Sequence, residues 1–596
     1  MKTFSKILAL AAVTALVACN TDDDWDSPGT GSIGGSISGS SSSGSIDVPD
    51  IEFDTTPLDE SESVPSDDND YVENSTFSST IYITYSGTSA TVSGSVSGVT
   101  VSTSGAHVTV NQTVSKVAYE LTGTTTNGSF KIYSENKFKL TLNGVDITNP
   151  TGAAINSQSG KSMYVVLADG TSNTLTDGST YDIPDDEDMK GTLFSEGQII
   201  FSGSGTLDVY AYYKNGIVSD DYLIFRPGNV INVTSDGSNG LKSNDGVTIR
   251  GGVLNIGTTA DSGKGINSES AVEISGGRTT IITSGGTTIE DNDTKSAAGV
   301  KSDASFYMTG GELNILSSGK GGKGVSADSL VNISDGTVNI VTTGAQFVQG
   351  SYDSSPKGIK ADGNMNISGG DITVTCSGGD GSEGLESKAY MTISGGNIVA
   401  NTYDDALNAS TRITISGGQV YARSTGNDAI DSNGTLYFSG GVVLGFGTTS
   451  IECPFDCDNG TFSITGGSII GMGGTTSNPT TSATTQPVII LGSTSYSSGT
   501  YIALTNSSGT AIYSFKVPST YSSSILFLSS PSISTGNTYT VKSGVTVSGG
   551  TSWQDYSEDA TVSGGSTLQS VSVSSTITNY SSGSMGNNNN IGGRRW

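Results

Sequence analysis

Histidine is nearly absent. A single residue, His107, serves the whole 596-residue chain, which removes Ser-His-Asp triads and His-rich metal sites from consideration. Charged residues make up only 14% and hydrophobic residues 33%, both low for a compact globular enzyme. Basic residues are scarce: 27 Lys and Arg face 57 Asp and Glu, a net charge of −30. This argues against a nucleic-acid partner, which calls for a basic stripe. Proline is held to 13 residues and cysteine to 4. No apolar run after the N-terminus is long enough to cross a bilayer as a helix. Glycine is what abounds, with 82 residues, about twice ordinary usage.

Residues 1–18, MKTFSKILALAAVTALVA, read as a signal peptide: Lys2 and Lys6 precede a short apolar run. It ends in Leu16-Val17-Ala18-Cys19, which resembles a bacterial lipobox. That resemblance implies cleavage before Cys19 and lipidation of its thiol, with a membrane anchor as the result. An ordinary secretion signal followed by a chance cysteine is the alternative. The next residues, NTDDDWD, resemble the acidic tag that sends some Gram-negative lipoproteins to the cell surface. The expected location is therefore the outer membrane, lipid-anchored and surface-exposed. Residues 19–78 are rich in Ser, Gly, Asp and Glu and read as a disordered, self-repelling tether.

The middle of the chain repeats. Ten segments align, among them NGLKSNDGVTIRGG from Asn239, KGINSESAVEISGG from Lys264, KGIKADGNMNISGG from Lys357 and DAIDSNGTLYFSGG from Asp428. Eleven residues separate the second position from the penultimate one in each, as from Gly265 to Gly276. Successive units lie 22 to 26 residues apart, except for two steps of 34. Within a unit apolar residues alternate, as in Val272 and Ile274, so the elements are strands. The position after the zero residue is Leu241, Ile266, Val300, Ile359, Leu385 and, in the tenth copy, Asp456. Position three is nearly always Ser or Ala, which suits a narrow interior. Gly-Gly pairs mark turns that need positive φ or close backbone approach.

About two dozen residues with three short strands are too few for a four-stranded propeller blade. They suit one coil of a parallel β-helix, stacked at about 4.8 Å, whose thin core explains the low hydrophobic content. The fold class is thus all-β, a solenoid over residues 79–480. Residues 284–297 and 343–356 are insertions expected to protrude as loops. The exposed ends of a solenoid need covers. Residues 486–580 leave the repeat and read as a small C-terminal β-domain, followed by a disordered tail over 581–596.

Several segments resemble the bacterial carbohydrate-binding β-helix proteins, whose clostridial members bind cellulose and polygalacturonate. They are AYELTGTTTNGSFKI (118–132), LTLNGVDITNPTGAAI (140–155), VVLADGTSNTLTDGSTY (165–181), residues 191–221 and the coils that follow. The resemblance implies a right-handed parallel β-helix, calcium in the coil turns and sugar binding without established catalysis.

Charge is graded along the repeats. The middle coils place Lys242, Lys264, Lys301, Lys323, Lys357 and Lys360 beside the zero position. Lysine is almost never buried unpaired, so these should face outward and stack into a column. Such a column offers a track for a polyuronate, or it simply resists sideways β-pairing. Later coils carry acids instead. Asp404, Asp405, Asn408, Asn427, Asp428, Asp431, Asp456 and Asp458 supply the oxygens that calcium takes; without a cation they form a solvated acidic face. Asp220, Asp221 and Asp245 are weaker candidates. Tyr352, Tyr403 and Tyr421 are aromatics able to stack on sugars. Cys453 and Cys457 are spaced too closely for an easy disulfide, and Cys376 reads as a buried hydrophobe.

The leading functional expectation is a non-catalytic surface lipoprotein that binds polysaccharide, acidic and pectin-like or cellulosic, through a calcium-containing β-helix. A calcium-dependent polysaccharide lyase is the runner-up, with Arg412, Arg423 or Lys388 as its base. A structural adhesin is the third reading.

Overall fold

In a computed structural model the described residues are 46–580, apart from 186 and 450. The signal peptide, Cys19 and the C-terminal tail lie outside them. Apart from one turn of 3-10 helix at Val72–Asn74, the described elements are all strands, and among the described residues no helix is long and apolar enough to cross a membrane. One sheet of fifteen strands runs the length of the solenoid, from Val99–Ser104 to Phe455–Cys457. At the usual strand spacing it spans about 65–70 Å. The other walls belong to a larger, bent sheet of 25 strands.

Coil stacks on coil in register. Ile217, Leu241, Ile266, Val300, Val325, Ile359, Leu385, Leu407, Ile430 and Phe455 are successive parallel partners. All ten are fully buried, so burial of one residue per coil builds a continuous apolar column. The tenth copy is displaced by one place from the sequence alignment. Phe455, not Asp456, enters the apolar column, and Asp456 pairs with Asp431. Burying a phenyl ring instead of a carboxylate accounts for the slip.

The small third position does more than save space. Ser243 is fully buried, and its hydroxyl lies 2.7 Å from both Gly246 O and Asp221 O. Ser302 repeats this with Ser305 O at 3.0 Å and Ser270 O at 2.8 Å. With one proton to give, each hydroxyl can donate to a turn carbonyl of its own coil or of the one before. In the Gly-Gly pairs the two glycines serve different ends. A Cβ on Gly369 would lie 2.1 Å from Ser334 O, whereas Gly370 adopts φ +86°, a conformation that disfavours side chains.

The two insertions are antiparallel hairpins, Thr288–Glu290 with Asp293–Lys295 and Phe347–Gln349 with Tyr352–Ser354. Antiparallel strands also close both ends. Ser89–Ser93 covers Ser79–Ser86 at the start. At the finish, Phe462–Gly473 pairs with Tyr521–Ser529, beside a separate four-stranded antiparallel sheet. This C-terminal β-domain has its own apolar cluster, including Tyr513, Phe515 and Leu528, which meets Phe446 and Met472 of the last coils.

Residues 46–78 depart from the tether assigned to them. They lie against the outside of the coils, where Arg226 pairs with Glu62 at 2.5 Å and with Glu73 at 2.8 Å. Arg250 pairs with Asp70 at 2.8 Å and Arg278 with Asp54 at 3.0 Å. The acids that were expected to repel one another are matched by arginines from distant coils.

Candidate functional site

The residue after each member of the apolar column points outward by strand alternation. This builds a second column: Val218, Lys242, Asn267, Lys301, Ser326, Lys360, Glu386, Asn408, Asp431 and Asp456. A parallel file precedes the zero position, with Lys264, Ala298, Lys323, Lys357 and Glu383 in register. Backbone bonds from Gly384 to Asp405 O and from Ala406 to Asp428 O continue it. Equal sequence offsets have become neighbours, and the lysine-to-acid gradient is a gradient along one face.

The six lysines do not form an open row of ammonium groups. Lys242 pairs with Glu269 at 3.2 Å, Lys301 with Asp303 at 2.9 Å and Asp328 at 2.5 Å, and Lys360 with Asp362. Lys357 is buried, and Lys264 and Lys323 are half-buried rather than open to solvent as expected. Burial lowers the pKa of Lys264, and it pushes Lys323 down to about 7, helped by the charges of Lys360 and Lys357. Lys323 donates to Ser296 Oγ at 3.0 Å, Ser354 Oγ at 2.9 Å and Gly321 O at 3.1 Å, at the feet of the two inserted hairpins. The insertions have roofed over a position that would otherwise meet water. Lys357 lies 2.6 Å from Glu383 and 3.5 Å from Glu386. Burial opposes its charge, but the two carboxylates outweigh this and raise its pKa. Burial likewise pushes Glu383 up to about 7, against the pull of Lys357.

Beyond this pair the column is acidic, and no lysine or arginine answers it. Among the described residues, Asp404, Asp405, Asp428, Asp431, Asp456 and Asp458 take part in no ion pair. Carboxylate oxygens of Asp428, Asp431 and Asp456 lie within 4.8 Å of one another. Burial, then the charge of Asp456, pushes Asp428 and Asp431 well above the usual carboxylate range. Burial and the charges of Asp431 and Asp428 do the same to Asp405. Calcium bonds oxygen at about 2.3–2.6 Å, so ligands on opposite sides of one ion stand about 5 Å apart. One buried and two half-buried carboxylates at this separation fit a divalent cation, which would supply the positive charge that no described residue places there.

The other sequence candidates fall into distinct roles. Asn408 Nδ2 donates to Asp405 at 3.0 Å and to Asp431 at 3.1 Å, bridging two coils. Asp404 accepts from Gly381 N and Asn427 Nδ2, both at 2.6 Å, and so fastens turns. Asp456 also accepts from Ser477 Oγ at 2.7 Å. Asp458 is exposed at the edge of this group, its pKa raised by partial desolvation and by Asp456. Glu452 went unnoticed in the sequence because it sits outside the repeat offsets; burial and then Asp456 raise its pKa. Asp220 is neutralised by Lys190 at 2.8 Å, and Asp221 accepts from Gln198.

Tyr421 is no sugar platform, being packed against Phe446 with ring centroids 5.4 Å apart. Tyr403 is exposed, and Tyr352 reaches Asn292 at the tip of the other hairpin. Cys376, Cys453 and Cys457 are free thiols. Of the three candidate bases, Lys388 is paired with Glu386 and Arg423 donates to Ser519 Oγ at 3.1 Å. Arg412 lies over the rings of Tyr390 and Tyr437 at 5.5 and 5.2 Å.

The solved structure of a polysaccharide lyase-like protein from C. thermocellum, a gadolinium derivative, aligns with 60% of this chain and 96% of its own, at 20% identity and a TM-score of 0.25. A carbohydrate-binding domain-containing protein of Acetivibrio thermocellus is 36% identical over 103 residues, 17% of this chain. The chain spans about a third, 36%, of the length of that relative. The family of carbohydrate-binding domain-containing proteins matches residues 104–263, 260–381 and 377–429, together more than half of the sequence. On the strength of that match across successive coils, the chain belongs to the carbohydrate-binding domain-containing family.

Proposed function

We propose that this protein is a non-catalytic lipoprotein of the outer membrane, anchored through Cys19, that binds an acidic, pectin-like polysaccharide at a calcium-bearing face of its β-helix. The observation that carries the reading is the run of buried and half-buried carboxylates on adjacent coils that, among the described residues, no lysine or arginine pairs with. Asp428, Asp431 and Asp456 would hold the ion, with Asp405 and Asn408 beside them. A bound calcium would give this face positive charge to share with a uronate carboxylate. The chain's own part is to hold the three aspartates in register on stacked strands. The non-catalytic reading is supported by the candidate bases, since each is already engaged by a carboxylate, a hydroxyl or aromatic rings.

A glycan array with and without a chelator tests the reading, together with absorbance of unsaturated uronate product from polygalacturonate. Binding that disappears on chelation, without product, is expected. Double-bond formation at enzymatic rates would replace it with a lyase. Absence of any glycan binding would leave a structural role.

A further inference from the structure

The face under the N-terminal segment has a chemistry that the acidic column lacks. The chain has seven arginines, and three of them gather on three consecutive coils. Phe225 and Ile249 are partners, which sets Arg226 beside Arg250, and Arg278 is in register with Val253 one coil further on. All three meet carboxylates from residues 54–73. Glu60 adds another, accepting from the backbone N–H groups of Gly252 and Gly277, both at 2.9 Å, on neighbouring coils. The segment thus lays a series of acid groups along the stacking direction, as a chain of uronic acids would.

Its attachment is of a kind that another polyanion can replace. Among the described residues, no backbone–backbone hydrogen bond joins residues 46–77 to the coils, and the segment pairs with no strand. Residues 54–73 are held chiefly by charge and by Tyr71, whose ring lies 4.3 Å from the Arg226 guanidinium and 5.4 Å from that of Arg250, with side-chain bonds from Tyr164, Asn255 and Arg278 to the carbonyls of Asn69, Asp54 and Thr56 and an apolar contact of Val72 and Phe77 with Tyr164 and Ile224 at its end. Most of its residues remain exposed or half-exposed. Past Asp54 lies a cavity of 350 Å³, walled on one side by residues 49–54 of the segment and on the other by coil residues that include Arg278, Glu312, Asn314, Asn339 and Thr373. This is the size of a small-molecule site, and its amides and hydroxyls match sugar hydroxyls. A site for acidic peptide would need no such amide-lined extension.

We propose that the face of Arg226, Arg250 and Arg278 is a second binding site, for carboxylate-bearing polysaccharide, and that residues 54–73 occupy it in place of that ligand. The assignment rests on the polysaccharide-binding reading but needs no metal ion, so the two are separable by chelation.

The test uses the full chain in excess chelator and fluorescent oligogalacturonate as probe. The quadruple variant E60Q/E62Q/D70N/E73Q should show faster hydrogen exchange in the coils beneath the segment and at least tenfold tighter binding than the wild type. Adding Arg278→Gln should abolish that gain. Three results would overturn the proposal: unchanged exchange, because charge would then not hold the segment; faster exchange with no gain in affinity; and equal gain for poly-glutamate, which would make the face a site for acidic peptide. Binding by the wild type that chelation removes bears on the acidic column alone.

Discussion

Asp431→Asn should have opposite effects on stability with and without calcium. Asp431 sits with Asp428 and Asp456 inside 4.8 Å. At an effective dielectric of about 20, each ionised pair at that distance costs roughly 3.5 kcal/mol. Proton uptake already relieves part of this, since burial and Asp456 raise the Asp431 pKa. Removing one charge should therefore stabilise the metal-free coils by ~1–3 kcal/mol. With calcium present the same change removes a ligand. A loss of about ten- to a hundredfold in affinity lowers calcium-linked stability by about 1.4–2.8 kcal/mol. The amide retains an oxygen to accept from Asn408 Nδ2, so the bridge between coils survives. Because solenoids open locally, the assay is hydrogen exchange of the strands Leu407–Ala409, Ile430–Ser432 and Phe455–Cys457, alongside calorimetric titration with calcium. The same sign of effect in both conditions, or indifference to calcium, would refute a cation at these aspartates.

Acidification should stabilise the metal-free protein between pH 7 and pH 5. Glu383 is pushed up to about 7, and Asp405, Asp428 and Asp431 are raised. Their contribution is full below the unfolded carboxylate pKa and is lost as pH rises through the folded values. Lys323, pushed down to about 7, destabilises as pH falls towards 7 and is nearly constant below it, which makes this window clean. Calcium should flatten the dependence, and a melting temperature that instead rises with pH would contradict it. Lys357→Met leaves Glu383 and Glu386 without their shared cation and should cost about 3–5 kcal/mol, read by hydrogen exchange of Lys357–Ala361 and Glu383–Ser387. Gly358→Ala places a Cβ 2.2 Å from Val374 Cγ1 and 2.6 Å from Gly384 O, and should cost ~1–3 kcal/mol in thermal melts; a neutral result would mean the coils are not packed this tightly.

The repeating parts of this molecule could be read without coordinates because period and physics coincide. A residue buried in every coil recurs at a fixed offset, so Leu241, Ile266 and Ile359 announce their column, and the aspartates beside it inherit the alignment. What escaped has no period. Glu73 meets Arg226 across 153 residues, and composition alone made its segment look like a tether. Lys323 occupies an outward offset, yet inserted hairpins partly cover it. The tenth copy kept its eleven-residue spacing while its first strand slid one place, since a phenylalanine competes for the core more strongly than an aspartate.

The N-terminal segment also sets how the molecule bears load. Pro49 lines a cavity on the flank with Asn339 and Thr373, far from the first coil at Ser79–Ser86. Tension applied there would be taken first by ion pairs, one after another. Once those let go, residues 54–78 would pay out roughly 80–90 Å of slack before any β-ladder felt the pull, so the part that yields is the part that can rebind.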